Sequence, residues 1–388
     1  MYQIKTMNQI SPSGLARFGE RYQISDDVNQ PDGIIVRSAS LHDVALDNSV
    51  KAIARAGAGV NNIPIPSCSE KGIVVFNTPG ANANAVKELV FAGMLLSARK
   101  IYQGIAWTKN DTKGNIEQRV EKEKKKYAGS ELMGKSIGII GLGAIGIQVA
   151  NLALKFGMDV YGYDPFISID AAWNLSRSVK HAKSLTDIYK NCDYISIHVP
   201  LNDKTRYMIN QEAINDMKNG VHLLNFARGE LIDDQAVINA IQDGKVSTYV
   251  TDFPNDRLAA LEQVITIPHL GASSSEAEEN CVVKAVEELK DFLENGNITN
   301  SVNFPNVSLE RSGGERIGVI HRNIPSMLAQ IADTLAKNNV NIANMINKSK
   351  NDYAYTLIDL DNQIDDSQLA NLQAVGGIIR VNVYPSLK

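Results

Sequence analysis

Cysteine is scarce in this chain: Cys68, Cys192 and Cys281 are the only three in 388 residues, they lie far apart, and no CxxC pair occurs. That argues against a disulfide framework and against a zinc site of paired cysteines, and it matches a reducing compartment. An excess of either charge is also missing. Lys plus Arg is 39 against 43 Asp plus Glu, a net charge of −4, so there is no overall basic field to hold a nucleic-acid backbone or an anionic membrane. No stretch approaches 18 uninterrupted apolar residues, and the start MYQIKTMNQISPSG has no apolar run of signal-peptide length. The expectation is a cytoplasmic protein acting on a small molecule, with no metal site and with neither nucleic acid nor membrane as a partner.

The 44% hydrophobic and 21% charged content is that of a well-packed globular chain long enough for two or three domains. Short β-branched runs, DGIIVRSAS, VKAIARAGAG and GIVVFNTPG, alternate with helix-like segments up to NAVKELVFAGMLLSARK. A second series starts at Lys135 with KSIGIIGLGAIG, MDVYGYD, CDYISIHVP, GVHLLNFARG, VSTYVTDFP and QVITIPHLG. Such alternation predicts parallel strands joined by crossover helices, the second series being a complete doubly wound sheet of six strands. Between the two lies a charge-rich stretch whose EKEKKK run reads as a solvated helix face. After a long helix, EAEENCVVKAVEELKDFLENG, and a polar linker, the last part restarts as strand, helix, strand, strand, helix, strand. Units of that kind fold as small independent ferredoxin-like modules. The expected fold is therefore α/β, with two doubly wound, Rossmann-like parallel sheets and a C-terminal βαββαβ domain.

Gly141, Gly143 and Gly146 follow the strand SIGII and open an amphipathic helix. In that context the first glycine permits the tight turn, the second admits a pyrophosphate, and the third lets helix and strand approach. The helix start, at Ala144 and Ile145, offers free N–H groups and a partial positive charge to the anion. The next strand ends in Asp164, 18 residues beyond Gly146, where a carboxylate accepts from ribose hydroxyls and repels a 2′-phosphate. NAD is the expected cofactor. His198 and Pro200 end another strand at the same edge.

Catalytic groups then belong at the carboxyl ends of the later strands. Arg228 in NFARG, beside Ala227, and His269 in IPHLG, before Gly271, fall there, with Asp252 and Asp256 of TDFPND between them. Hydride transfer from a secondary alcohol needs a base for the hydroxyl proton, which a neutral imidazole supplies, and a guanidinium can grip a carboxylate through two parallel hydrogen bonds. Earlier in the chain Arg37 and Arg55 each end a strand. With the N–H groups of Ala58 and Gly59 they suit a substrate carrying a carboxylate and a phosphate; the plainer alternative is two surface arginines with helix partners.

RSAS, RAGAGVNNI, NTPGANANAV, GLGAIG, YGYDP, HVPL, NFARGELID, TDFP and IPHLGAS together resemble, in order and over nearly the whole length, the D-isomer-specific 2-hydroxyacid dehydrogenases. The resemblance is strongest to the branch that oxidises 3-phospho-D-glycerate with NAD on the way to L-serine. It implies that Arg228 orients the substrate and His269 is the acid/base. Arg37, Ser38, Arg55, Ala58, Gly59 and Asn77 would hold the substrate, and Ala227, Asp252 and Gly271 would border the nicotinamide. It further implies a substrate-binding domain of residues 1–97 and 281–308, an NAD-binding domain of 98–280, and an ACT regulatory domain of 316–388. His321, Asn323 and Asn341 would take an L-serine effector, with Ser326 where many relatives have glycine, although ACT domains also serve to pair subunits. A homodimer or homotetramer is expected. The family's glutamate partner of the catalytic histidine falls here on Arg257, five residues after Asp252, which leaves Asp256 as a substitute if the loop is one residue shorter. Two other readings are an enzyme for another D-2-hydroxy acid and a noncatalytic NAD(H)-sensing protein.

Overall fold

The computed structural model describes residues 1–111 and 113–387, and the chain divides into two compact units, Met1–Ala81 with Glu278–Lys388, and Asn82–Ala277. In the first unit, β1 (Tyr2–Met7), β2 (Tyr22–Ser25), β3 (Gly33–Val36), β4 (Ala52–Arg55) and β5 (Val74–Asn77) form a sheet in the order β2-β1-β3-β4-β5. Every pairing is parallel. The strands β3 to β5 are the apolar runs of the sequence, buried almost throughout. No such run announces β1 and β2, because β1 fully buries only Ile4 and β2 only Tyr22.

The second unit holds β6 (Ser136–Ile140), β7 (Asp159–Tyr163), β8 (Lys180–His181), β9 (Tyr194–Ile197), β10 (Val221–Asn225), β11 (Val246–Thr251) and β12 (Val264–Thr266). Their order, β12-β11-β10-β9-β6-β7-β8, makes a seven-stranded sheet where six strands were expected. The extra strand, β8, is two exposed residues at the edge, too short and too polar to leave a pattern. The order reverses between β6 and β9, and the crevice at the carboxyl ends of strands on either side of such a switch point is where doubly wound sheets take ligands.

The helix Ala83–Ala98 lies in this second unit, whereas the expected boundary follows residue 97. Its Val86, Val90, Phe91 and Met94 share a core with Ile139, Val149 and Phe226. A Cβ on Gly93 would lie 2.9 Å from the Phe226 ring, so the close approach needs a glycine there. The charged stretch after it forms the helix Ile116–Glu123 and a short 3-10 turn, Lys124–Tyr127, neither of which buries a residue.

The last part forms β13 (Glu315–Arg322), β14 (Ile342–Lys350), β15 (Tyr353–Leu360) and β16 (Ile378–Tyr384), an antiparallel sheet in the order β14-β15-β13-β16. With the helices Met327–Lys337 and Asp366–Gln373 in its crossovers, this is the expected ferredoxin-like topology. Its independence is not observed. One face of the sheet contributes Ile320, Tyr355, Leu357 and Tyr384 to the same core as Ile4, Phe76, Phe292 and Phe304. The Tyr355 hydroxyl donates to Gly296 O at 2.8 Å, and Arg380 donates to Asn48 O at 2.8 Å and to Val50 O. The module is fused to the first unit because its sheet buries apolar side chains on both faces, Ile317 and Val319 sharing a second core with Ile331 and Leu335 of its own helix Met327–Lys337.

The three cysteines are free and buried. No helix among the described residues is long and apolar enough to cross a membrane. No group of three or more His, Cys, Asp or Glu side chains gathers there as a metal site.

Candidate active site

At the end of β6 the chain turns at Gly141, whose φ of +94° lies in the left-handed region. A Cβ there would stand 2.7 Å from His198 O, so glycine is required on both counts. The next glycine, Gly143, is the N-cap of the helix Ala144–Lys155, and no side chain caps that helix. Nothing in the protein lies within 4 Å of where its Cβ would be. Gly146 is the reverse case, since its Cβ would fall 1.9 Å from Gly141 O. Uncapped N–H groups facing open space at a helix N-terminus suit a pyrophosphate. The Asp164 carboxylate, at the end of β7, accepts from Leu142 N at 2.8 Å and from Phe166 N at 2.9 Å. It is thus locked in orientation with lone pairs left for ribose hydroxyls. These residues fit a dinucleotide without a 2′-phosphate.

His198 follows β9 with its Nε2 2.8 Å from the buried Ser196 hydroxyl, and burial pushes the imidazole down to about 4, so it is neutral at pH 7. Pro200, next along this edge, is exposed, and its carbonyl accepts from Thr205 Oγ1 at 2.7 Å. As the last residue of β10, Asn225 is fully buried and donates to Arg228 O at 2.8 Å, while its carbonyl side accepts from Ala227 N at 3.2 Å. The sequence reading passed over Asn225, although an asparagine closing an apolar strand is the available signal. It braces the loop that presents Arg228, whose exposed guanidinium donates to Ala227 O at 2.6 Å.

His269 lies exposed in the loop after β12, with the edge of Phe253 against its ring at a centroid distance of 4.9 Å and 68° between planes. Asp252, immediately after β11, is 1% exposed, and its Oδ1 has no hydrogen-bond partner. Burial raises its pKa; His269, the backbone N–H groups of Gly271 and of Asp252 itself, and Arg228 act in the opposite direction. Gly271 is buried and packed so closely that its Cβ would sit 3.3 Å from Asp252 Oδ2. Asp256 does not take the place expected of it. It is the exposed first residue of the one-turn helix Asp256–Ala259, which Asn255 caps by accepting from Leu258 N at 3.1 Å. Among the described residues no hydrogen bond or ion pair joins it to His269. Arg257 turns to Gln235 Oε1.

In the first unit Val36, Arg55 and Asn77 are register partners across β3, β4 and β5, so Arg37, Arg55 and Asn77 share one carboxyl edge. The Arg55 Nε donates to Arg37 O at 3.1 Å, and the Asn77 amide donates to Ala58 O at 2.6 Å. A Cβ on Gly57 would fall 2.2 Å from Arg55 Nη1, so that glycine makes room for the guanidinium. Arg37 is paired with the Glu278 carboxylate on the helix Ser275–Asn295, the kind of helix partner that the plainer alternative names. Ser38 N donates to Asn8 Oδ1 at 3.3 Å, while Ala58 is exposed and Gly59 half-buried beside the arginines.

The residues expected to take an effector are not gathered by one module. His321 is 2% exposed, with its ring nitrogens 2.8 Å from Arg322 O and 2.8 Å from Thr356 Oγ1. Asn323 follows the Arg322 and Tyr353 end of the β13–β15 ladder and donates to Asn351 O at 3.0 Å; Asn341, bonded to Asp361, precedes the Ile342 and Leu360 end of the sheet. Ser326, at φ +68°, occupies a left-handed conformation that favours glycine.

The model of the D-isomer specific 2-hydroxyacid dehydrogenase NAD binding domain matches residues 91–271. A D-3-phosphoglycerate dehydrogenase of Methanocaldococcus jannaschii is 36% identical over 80% of this chain, which spans 59% of that protein's length. A hydroxypyruvate reductase of Thermotoga maritima is 37% identical over 70% of this chain and 87% of its own. A D-3-phosphoglycerate dehydrogenase of Haemophilus influenzae is 33% identical over 84% of this chain and 79% of its own. Among solved structures, the NAD+-bound 3-phosphoglycerate dehydrogenase of Entamoeba histolytica superposes with a TM-score of 0.60 at 26% identity, covering 78% of this chain and 98% of that one.

Proposed function

Because the chain belongs to the D-isomer-specific 2-hydroxyacid dehydrogenase family, we propose that it catalyses the NAD-dependent interconversion of 3-phospho-D-glycerate and 3-phosphohydroxypyruvate. NAD, when bound, accepts the hydride from C2 of the hydroxy acid. The chain's own residues do the rest. His269 takes the proton of the C2 hydroxyl as its oxygen becomes the carbonyl, and returns it in the reverse direction. Arg228, exposed on its braced loop with donors to spare, holds the substrate carboxylate and polarises the carbonyl oxygen.

The observation that carries the phosphorylated substrate is the gathering of Arg37, Arg55, Ala58, Gly59 and Asn77 at one strand edge. Two guanidiniums with nearby backbone N–H groups suit a phosphate dianion better than an uncharged hydroxymethyl end. The pairing of Arg37 with Glu278 favours a second reading, because it removes positive charge from that edge. On that reading the substrate is an unphosphorylated 2-hydroxy acid, as the name of the Thermotoga relative suggests for that protein.

Initial rates of NADH oxidation with 3-phosphohydroxypyruvate, hydroxypyruvate and glyoxylate decide between them. A kcat/KM highest for the phosphorylated acid supports the proposal; a preference for hydroxypyruvate supports the second reading. Absence of turnover in a folded, NADH-binding protein overturns both and moves the NAD(H)-sensing reading ahead. We extend the proposal to inhibition by L-serine, read in the same assay and overturned by rates that serine leaves unchanged.

A further inference from the structure

Strand β16 lies at one edge of the C-terminal sheet. Its Arg380, Asn382 and Tyr384 alternate onto the face whose Tyr384 shares a core with Ile4 and Phe76. Between that strand, the loop before β4 and the end of the helix Asp366–Gln373, all within the first unit, lies a cavity of about 440 Å³. Small-molecule sites occupy about 300–1,000 Å³. The polar lining is Asn48, Ser49, Lys51, Gln373, Arg380 and Asn382, and aliphatic residues of β16 complete the wall. Among the described residues no carboxylate side chain lines it. Lys51 precedes β4 and Arg55 ends it, so the cavity and the expected substrate edge lie at opposite ends of that strand.

Two groups in this wall are incompletely satisfied. Arg380 is half-buried and donates to Asn48 O at 2.8 Å and to Val50 O, which leaves three of its five N–H groups and gives it only neutral partners. Burial lowers its pKa, and the group acting in the opposite direction is the Tyr384 phenol, which burial itself pushes up and keeps neutral, so no carboxylate offsets the guanidinium. A Cβ on Gly72 would stand 2.9 Å from the Arg380 Cβ, so a glycine makes room for the arginine. Asn382 is 6% exposed, and its Nδ2 has no hydrogen-bond partner. The Tyr384 phenol feels this amide, yet its own hydroxyl is unpartnered too. A buried amide donor and a half-buried cation are both costly to leave without an acceptor, and one oxyanion satisfies the two together. Lys51 is shared with Asp32, its Nζ 3.0 Å from Oδ1, so the surplus charge is that of Arg380. A single carboxylate matches that surplus better than a phosphate dianion does.

We propose that this cavity binds a small organic acid, whose carboxylate is held by Arg380 and Asn382 beside Lys51. A bound acid ties the C-terminal sheet to the loop before β4, apart from any chemistry at the carboxyl ends of the strands. The test is a saturation-transfer NMR titration of the full chain with 3-hydroxybutyrate, in Arg228→Ala protein so that the proposed active site adds no grip on a carboxylate. Binding is expected with a Kd on the order of 1 mM. Asn382→Leu and Arg380→Met, each added to Arg228→Ala, weaken it about tenfold, and Arg55→Ala leaves it unchanged. Because Asn382→Leu removes an unpartnered donor, it should melt no lower than its parent, which separates lost binding from lost folding. Should Arg380→Met not fold, Lys51→Met takes its place, with a weakening of about threefold. No binding at ten times that concentration overturns the proposal, as does binding of inorganic phosphate but not of 3-hydroxybutyrate. Equal affinity in the Asn382→Leu protein and its parent, or weakening by Arg55→Ala, overturns it as well. Wild-type rates of NADH oxidation report on the proposed function separately, so either reading can fail alone.

Discussion

Arg316 and Asp359 face each other across β13 and β15, with Nε 2.5 Å from Oδ1 and the two side chains 0% and 1% exposed. All five N–H donors of Arg316 are used: two on Asp359, and one each on the carbonyls of Asn295, Leu309 and Glu310. One guanidinium thus ties the end of the helix Ser275–Asn295, the linker and the C-terminal sheet into a single piece. Removing one partner of a buried pair leaves an uncompensated charge. Asp359→Asn and Arg316→Met are each expected to lower stability by about 3–5 kcal/mol, measured by denaturant unfolding. A loss below about 1 kcal/mol would mean that the fused arrangement does not depend on this pair.

The two glycines of the cofactor loop should fail in different ways. Gly143→Ala meets no protein atom within 4 Å and has an ordinary φ of −80°, so it folds like the wild type. Its methyl group occupies the space through which the N–H groups reach a pyrophosphate, weakening NADH about ten- to hundredfold. In Gly146→Ala the Cβ clashes with Gly141 O at 1.9 Å, so about 1–3 kcal/mol of stability goes as well. Fluorescence titration with NADH and thermal melting separate the two outcomes.

Glu288 is 7% exposed, accepts from the Asn300 amide at 2.6 Å and leaves Oε2 unpartnered. Burial, the largest effect, pushes it up to about 7 from 4.5; Asn300 and Lys284 pull the other way and Glu287 adds to the rise. A folded pKa above the unfolded one gives a contribution that is present below 4.5 and lost as pH rises through 7. Glu288→Gln escapes that loss. Relative to the wild type it should gain approaching 3 kcal/mol between pH 4 and pH 8, read from unfolding curves across that range. A difference independent of pH would show that folding leaves the pKa of Glu288 unchanged.

Arg55 should distinguish substrates by charge. Arg55→Ala is expected to lower kcat/KM for 3-phosphohydroxypyruvate about ten- to hundredfold, the worth of one or two charge-assisted hydrogen bonds. Glyoxylate, lacking the phosphate, should change little. Equal losses on both would remove the phosphate role from this strand edge.

The cofactor loop was legible because its requirements are local. Strand, turn, helix and the three glycines follow one another in sequence, and the clashes at Gly141 and Gly146 are with backbone a few residues away or just past the end of the neighbouring strand β9. The same holds for the six longer strands of the second sheet, whose apolar runs are buried throughout in β6 and β9 and in alternation in β7. Strands β1 and β8 escaped because they bury too few side chains to leave a period. Asn225 escaped because its work is done by hydrogen bonds to the backbone of its own loop, which no hydrophobic pattern records. The place of Asp256 was not legible because its distance in sequence from Asp252 says nothing about direction. The cap at Asn255 starts a helical turn there and leaves Asp256 facing solvent.

The sequence by itself determined the two parallel-sheet folds, the ferredoxin-like topology, the dinucleotide loop and the positions of Arg228 and His269 at strand ends, since each follows from periodicity and from glycine spacing within a few tens of residues. Only the tertiary structure decided that Asp256 lies exposed at the start of a helical turn, that Glu278 pairs with Arg37, and that the C-terminal sheet shares its core with the first unit. Those outcomes depend on side chains from segments far apart in the chain meeting in one place. Such meetings are set by the packing of whole elements, and the local spacing of residues does not encode them.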